Sequence, residues 1–313
     1  MAYETFDDFP DHGVSGELKT HFRFSGRVNV GRWIAMLAVG VDAAILLGAV
    51  YAAGVYYVPF IYLNGLFTLA LGAALGWCGW LVCRYGKCRN QGLAIISWIL
   101  LYAVAMYTAW AFWLFFNFHD DSGISLVECF DPMLIFNLIH GAVVLHFFEI
   151  TVGKEGGMAI SGWGLAVLWG IEAAVVFFLG MFVMLGQFRD SAFCESCSEW
   201  AKPHWISTPL LPTEDIPTAE PDETFESADL AELGATLRPI PAFLDSDGSY
   251  MIAQLVSCPC GRTDLFSLQK VTVATNPKKK NERTEKKAYQ IRHLVISKAD
   301  AERIRMVFDC ATH

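Results

Sequence analysis

Charged side chains are scarce in this chain, 18% of 313 residues against 54% hydrophobic, which excludes an ordinary soluble globular protein. Basic residues are fewer than acidic ones, 23 Lys and Arg against 32 Asp and Glu, so no cationic footprint for nucleic acid covers the chain. The one basic run, Lys278 to Lys280 with Arg283, Lys286 and Lys287, reads as a solvated turn. The first thirty residues lack the apolar core and small-residue cleavage site of a secretory signal, so export is expected to start from the first membrane span. There is no internal repeat, and no nucleophile, general base or phosphate-binding loop argues for an enzyme.

What the chain has in abundance is apolar sequence between Arg32 and Phe188. Spans are expected at Trp33–Tyr57, Phe60–Cys83, Leu93–Phe118 and Ile160–Gln187, each long enough to cross a hydrocarbon core of about 30 Å. Tyr56, Tyr57, Pro59 and Tyr62 make an uncharged aromatic hairpin suited to a membrane interface. Lys19, Arg23, Arg27 and Arg32 precede the first span, and Arg84, Lys87 and Arg89 follow the second, which places both segments in the cytoplasm by the positive-inside rule. Asp120, Asp121, Glu128, Asp131 and Glu149 then put the 119–157 region outside. Within it Met133–Val152 is apolar enough for a fifth span. Asn137, His140, His146 and Glu149 are spread around its circumference, however, which favours a helix lying on the bilayer surface. Four crossings return the chain to the cytoplasm, and the expected location is a bacterial inner membrane with both ends cytoplasmic.

The expected fold is a membrane all-α four-helix bundle followed by a small cytoplasmic α+β domain of zinc-ribbon type. Its parts are an N-terminal tail (1–31), the four-span domain (32–188), a cysteine knuckle (189–207), an acidic Pro-rich tether (208–224) and the α+β domain (225–313). In the last, a short helix at Ser227–Leu237 precedes alternating β-type residues at Ser249–Cys258, Asp264–Thr275 and Tyr289–Ser297, with Asn276–Lys287 as a turn, and Ser297 caps a closing helix at Ala299–Phe308. So small a core calls for a staple such as a metal.

Cys194 and Cys197 have the spacing that turns two thiolates toward one cation, and Cys258-Pro259-Cys260-Gly261 offers a second pair at a tight turn. Together they supply four soft ligands for structural zinc; the alternatives are free thiols or a Cys194/Cys197 redox dithiol. Asp42 and Glu172 fall inside the first and last spans, where an acid marks either proton or cation passage or, when protonated, a hydrogen bond across helices to Ser97, Asn64 or a tyrosine. Cys78 and Cys83 serve as small hydrophobes, and Cys129 is the one outer thiol, too few for the cysteine pairs of a disulfide-generating quinone oxidoreductase. An outer metal site at His140, His146 and Glu149 is disfavoured by the histidine spacing, and Glu302 with Arg305 reads as a solvated ion pair.

Tyr57-Val58-Pro59-Phe60-Ile61-Tyr62-Leu63-Asn64, Gly86-Lys87-Cys88-Arg89-Asn90, Trp169-Gly170-Ile171-Glu172-Ala173 and Phe193-Cys194-Glu195-Ser196-Cys197 stand together along about two thirds of the chain. In these pieces it resembles a group of uncharacterised bacterial multi-span membrane proteins with a Cys-x-x-Cys knuckle after the last span. An aliphatic residue is usual in that group where Cys88 stands, and the resemblance implies no activity. The function expected is membrane-anchored interaction or scaffolding, with the lipid bilayer and a protein partner or second copy as partners and no nucleic acid. The alternative is a small transporter using Asp42 and Glu172.

Overall fold

The computed structural model describes residues 22–58, 61–145, 149–152, 158–205, 210–212, 237–239, 248–258, 260, 262–275 and 283–309. These form two compact units, one of Phe24–Ser191 and one combining the described parts of 1–23 and 192–313.

The first unit is helical: α1 (Val30–Tyr57), α2 (Ile61–Tyr85), α3 (Gln91–Ser122), α4 (Pro132–Val144) and α5 (Trp163–Arg189). Four of these helices, α1, α2, α3 and α5, are long and apolar enough to cross a membrane. Side-chain caps set the starts of α1, α3 and α4. Asn29 accepts from the Arg32 N–H, Asn90 from the Leu93 N–H and Asp131 from the Met133 N–H, the last with Pro132 in the first turn where a missing N–H costs nothing. At one end of the unit the segment before α1 meets the loop between α2 and α3, where the Arg89 N–H donates to the Arg27 carbonyl and Phe24 packs on Phe188 of α5 at 4.7 Å between ring centroids.

The apolar run expected as one helix over Met133–Val152 divides. α4 has 13 residues, so it is about 20 Å long and too short for a 30 Å core. Strand β1 (Glu149–Val152) then pairs antiparallel with β2 (Met158–Ser161). The β-branched Ile150, Thr151 and Val152 account for the switch, since such residues fit a pleated strand better than a helix.

α1 packs on α2 and α3, and α2 on α5. With no hydrophobic drive between helices in lipid, close approach depends on small residues. On α1 the buried face is Gly40, Ala44, Gly48 and Ala52. A Cβ at Gly48 would stand 2.4 Å from the Ala105 carbonyl oxygen of α3, and one at Gly76 2.4 Å from the Gly180 carbonyl oxygen of α5.

The second unit is a six-stranded sheet with two small additions. Strands β8 (Gly248–Ser257), β9 (Asp264–Thr275) and β10 (Arg283–Ile296) form an antiparallel meander, and β10 takes in Arg283–Lys287, which the sequence had suggested as turn. Beside β8 run β5 (Lys202–Trp205) and β6 (Leu210–Pro212), and β7 (Leu237–Pro239) pairs with β6. Part of the supposed tether is thus strand; the rest of it, and most of the helix expected at Ser227–Leu237, lies outside the described residues. One sheet face buries Met251, Ala253, Leu255, Phe266 and Leu268 with Ala301 and Ile304 of helix α6 (Lys298–Asp309), as period-2 alternation requires. The other face buries Val256 and Leu265 with Ala192, Ala201 and Phe22. α6 begins as expected, with Ser297 Oγ accepting from the Asp300 N–H at 3.2 Å, but the Arg305 guanidinium donates to Ser257 Oγ at 2.9 Å, tying helix to sheet.

Replacing Gly76 by Val should lower the stability of the detergent-solubilised protein by about 1–3 kcal/mol through overpacking against backbone. Gly186→Ala, at a position where an added Cβ meets nothing within 4 Å, should leave thermal unfolding unchanged.

Candidate functional site

Four thiols from two hairpins converge in the sheet unit. The short strands β3 (Phe193–Cys194) and β4 (Glu199–Trp200) pair antiparallel, and the turn between them closes with Ser198 at φ +53°. Phe193 packs edge-on against Trp200, and the Ala201 N–H donates to the Ala192 carbonyl, so the hairpin is held at its open end. β5 follows at once and pairs with the end of β8 in the register Lys202↔Ser257. That register brings the Cys194/Cys197 turn to Cys258 and Cys260, in the connection from β8 to β9, where the Cys258 N–H donates to the Thr263 carbonyl.

The four sulfurs lie within 4.8 Å of one another. Cys197 is 2.7 Å from Cys258, 3.2 Å from Cys260 and 3.4 Å from Cys194, and Cys260 is 3.5 Å from both Cys194 and Cys258. A tetrahedral ion with 2.3 Å bonds to sulfur sets sulfur–sulfur edges of about 3.8 Å, so most of these contacts would open by about 0.3–0.6 Å to hold one and the closest, Cys197 to Cys258, by about 1 Å. Donors also surround the sulfurs. Burial, the largest influence, pushes the Cys194 thiol up. Hydrogen bonds from the Thr263 hydroxyl, the Cys197 N–H and the Cys197 and Cys260 thiols outweigh it and bring Cys194 down to about 6. Cys197 is pushed up, chiefly by its hydrogen bonds with Cys258 and Cys260, and Cys258 is raised mainly by burial. A thiolate is thereby favoured at Cys194 and disfavoured at Cys197 and Cys258, the pattern expected of crowded sulfurs that a cation would deprotonate together. The cluster is compatible with a metal site, and Thr263 is the supporting residue that the cysteine spacing gave no means of finding.

The two intramembrane acids are placed differently. Glu172 of α5 accepts hydrogen bonds at Oε1 from Tyr51 of α1 and, at 3.1 Å, from Thr68 of α2, so one carboxylate oxygen joins three helices. Of the partners expected for an intramembrane acid, Glu172 has a tyrosine. Ser97 accepts instead from Trp33 Nε1 at 3.0 Å, and Asn64 offers its carbonyl to Thr68 at 2.9 Å. Asp42 is exposed, on a face of α1 away from the Gly40–Ala52 stripe. The two acids therefore stand in different surroundings, one exposed and the other bonded across helices. Cys129 is buried among Ala111, Leu114 and Ile135. His140 is exposed against Phe136, and His146 lies outside the described residues.

The chain matches no protein-family description, no curated protein and no solved structure, so what the sites do is argued from their geometry.

Glu172→Gln keeps an acceptor oxygen for Tyr51 and Thr68, whereas Glu172→Leu leaves Tyr51 only the Thr68 hydroxyl, at 3.4 Å, and Thr68 only the Asn64 carbonyl. The leucine variant should lose about 1–3 kcal/mol more than the glutamine variant in unfolding in detergent.

Proposed function

We propose that this is a bacterial inner-membrane protein, both ends cytoplasmic, that holds a zinc-stapled α+β domain at the membrane as a protein-binding module. The observation that carries this is the convergence of all four cysteines, Cys194, Cys197, Cys258 and Cys260, on one point. A redox dithiol needs one pair; two pairs from separate hairpins suit an ion that ties the hairpins together. Zinc fits best, because four thiolates in tetrahedral array match its softness and its indifference to geometry, and such closed sites are structural. Orientation follows from the basic residues at one end of the helical unit, Arg27, Arg32, Arg84, Lys87, Arg89 and Arg189. The resemblance to bacterial multi-span proteins with a knuckle after the last span agrees with it.

Binding rather than catalysis is favoured by the make-up of the sheet, whose terminal strand β10 presents exposed Glu285, Lys286, Lys287 and Ala288 at one end of the strand order. A terminal strand is a place where a protein partner or a second copy adds its own strand. Translocation through Asp42 and Glu172 draws less support, because Asp42 stands on the outer face of α1.

Two measurements separate the parts of this proposal. Elemental analysis of the full chain should give one zinc per chain, absent from Cys197→Ser and Cys260→Ser; a wild-type protein free of metal and indifferent to chelators would remove the zinc. Chelation should speed amide hydrogen exchange in β5 and β8, which the ion helps to hold. A photocrosslinking residue at Lys286 or Lys287 should yield a discrete protein adduct in intact cells; its absence would discard the binding module while leaving the metal centre standing.

A further inference from the structure

Between α1, α3, α4 and α5 lies a cavity of about 300 Å³, lined among others by Tyr51, Trp110, Trp113, Ile139, Trp169 and Glu172. We propose that it is a binding site for a compact organic cation, a quaternary or tertiary ammonium, held between the Glu172 carboxylate and the indole rings of Trp110, Trp113 and Trp169. The inference concerns the helical unit alone and does not rest on the cysteine centre.

Three features of the cavity select this ligand class. Glu172 carries both of its hydrogen bonds on Oε1, and among the described residues none reaches Oε2. Among the described residues no Lys, Arg or His lines the cavity, so that part of the wall offers no positive charge to the acid. Aromatic rings make up much of the remainder. Trp110 stands perpendicular to Trp169, with centroids 4.8 Å apart at 89°, and meets Trp113 at 5.7 Å and 73°. Perpendicular indoles give walls in more than one direction, and an ammonium over their faces is attracted by each ring quadrupole.

Competing occupants fit less well. An acyl chain would fill the apolar volume but leave a carboxylate oxygen without a partner at a depth of about 14 Å from the start of α5. A hard metal ion wants six or more oxygens, and the described residues of the wall supply few besides those of Glu172 and Tyr51. An alkylammonium needs one counter-charge and an apolar, aromatic shell, which is what these residues provide. The ammonium can belong to a free solute or to a lipid headgroup, since the recognising chemistry is the same.

The test uses the full chain in nanodiscs of phosphatidylethanolamine and phosphatidylglycerol, with empty discs as the blank, titrated with tetraethylammonium, choline and 3,3-dimethylbutan-1-ol and followed by calorimetry and tryptophan emission. The alcohol has the shape of choline with carbon in place of the charged nitrogen. Saturable binding of a cation is expected, with choline about tenfold tighter than the alcohol. Glu172→Gln should abolish that preference, and Trp169→Leu should weaken cation binding about tenfold. Equal binding of choline and the alcohol, full cation affinity in Glu172→Gln, or no saturable binding of either cation would overturn the proposal. The choline and alcohol comparison on the unaltered protein decides the matter by itself where a variant fails to fold. Discs of phosphatidylcholine assign the source: loss of tetraethylammonium affinity there identifies a lipid headgroup, and unchanged affinity a free ammonium.

Discussion

In apolar surroundings a polar side chain is costly unless the chain supplies its hydrogen-bond partners. In the helical unit that condition joins residues far apart in sequence, because Glu172 finds its donors 121 and 104 positions earlier, at Tyr51 and Thr68. The carboxylate therefore constrains α1, α2 and α5 at once. Small residues make the constraint affordable: Gly48 and Gly76 bring helix backbones to distances at which any side chain would collide. Packing and hydrogen bonding then reinforce each other, since donors on α1 and α2 reach one oxygen on α5 only if α2 lies close to both neighbours. The sheet unit obeys the same rule in another form, where the polar groups needing partners are crowded thiols and the donors are Thr263 and the backbone N–H of Cys197.

Asp42 shows what happens without such partners. It is exposed on α1, and among the described residues no hydrogen bond reaches it. An acid near the middle of a span costs about 2.5–3.5 kcal/mol on insertion. α1 has the apolar length to bear that, with 28 residues and a mean hydropathy of 2.2 over its most apolar window. The cost is thus spread over the whole helix, whereas Glu172 is answered locally by two hydroxyls. Two acids that look alike in sequence differ because one lies beside the buried Gly and Ala stripe's partners and the other lies away from it.

The four long helices and the β8, β9 and closing-helix pattern were legible because each is a long periodic signal with a marked boundary: Asn29, Asn90 and Ser297 cap where such residues should. The cysteine set was legible from ligand chemistry and spacing alone. Strands β5, β6 and β7 were not, since Lys202–Trp205, Leu210–Pro212 and Leu237–Pro239 are three or four residues long and each contains proline, which argues against strand until a neighbour is known. Nor was the cavity, for Trp110 and Trp113 lie on α3 and Trp169 on α5, far apart in sequence, and only the packing of α3 against α5 brings them together. Tyr51 and Thr68 sit in apolar runs where nothing local marks them as partners of an acid over a hundred residues away.

The wide gap between the cysteine pairs has a physical resolution in the sheet. Cys197 and Cys258 are 61 positions apart, and closing a flexible loop of that length costs roughly 3–4 kcal/mol. A metal bound to the pairs alone would have to overcome that cost itself. β5 pairs with β8 over Lys202↔Ser257 to Trp205↔Gln254, and Leu210 of β6 pairs with Met251 further along the same strand. The chain leaving the knuckle therefore runs alongside β8 in one direction, with its pairing shifted between the two stretches. Backbone hydrogen bonds and the Val256, Leu265, Ala192 and Ala201 cluster close the loop before any ion is considered. What remains for the ion is to even out the spacing of four sulfurs that already lie within 4.8 Å of one another, so residues inserted between the pairs lengthen the loop without loosening the centre.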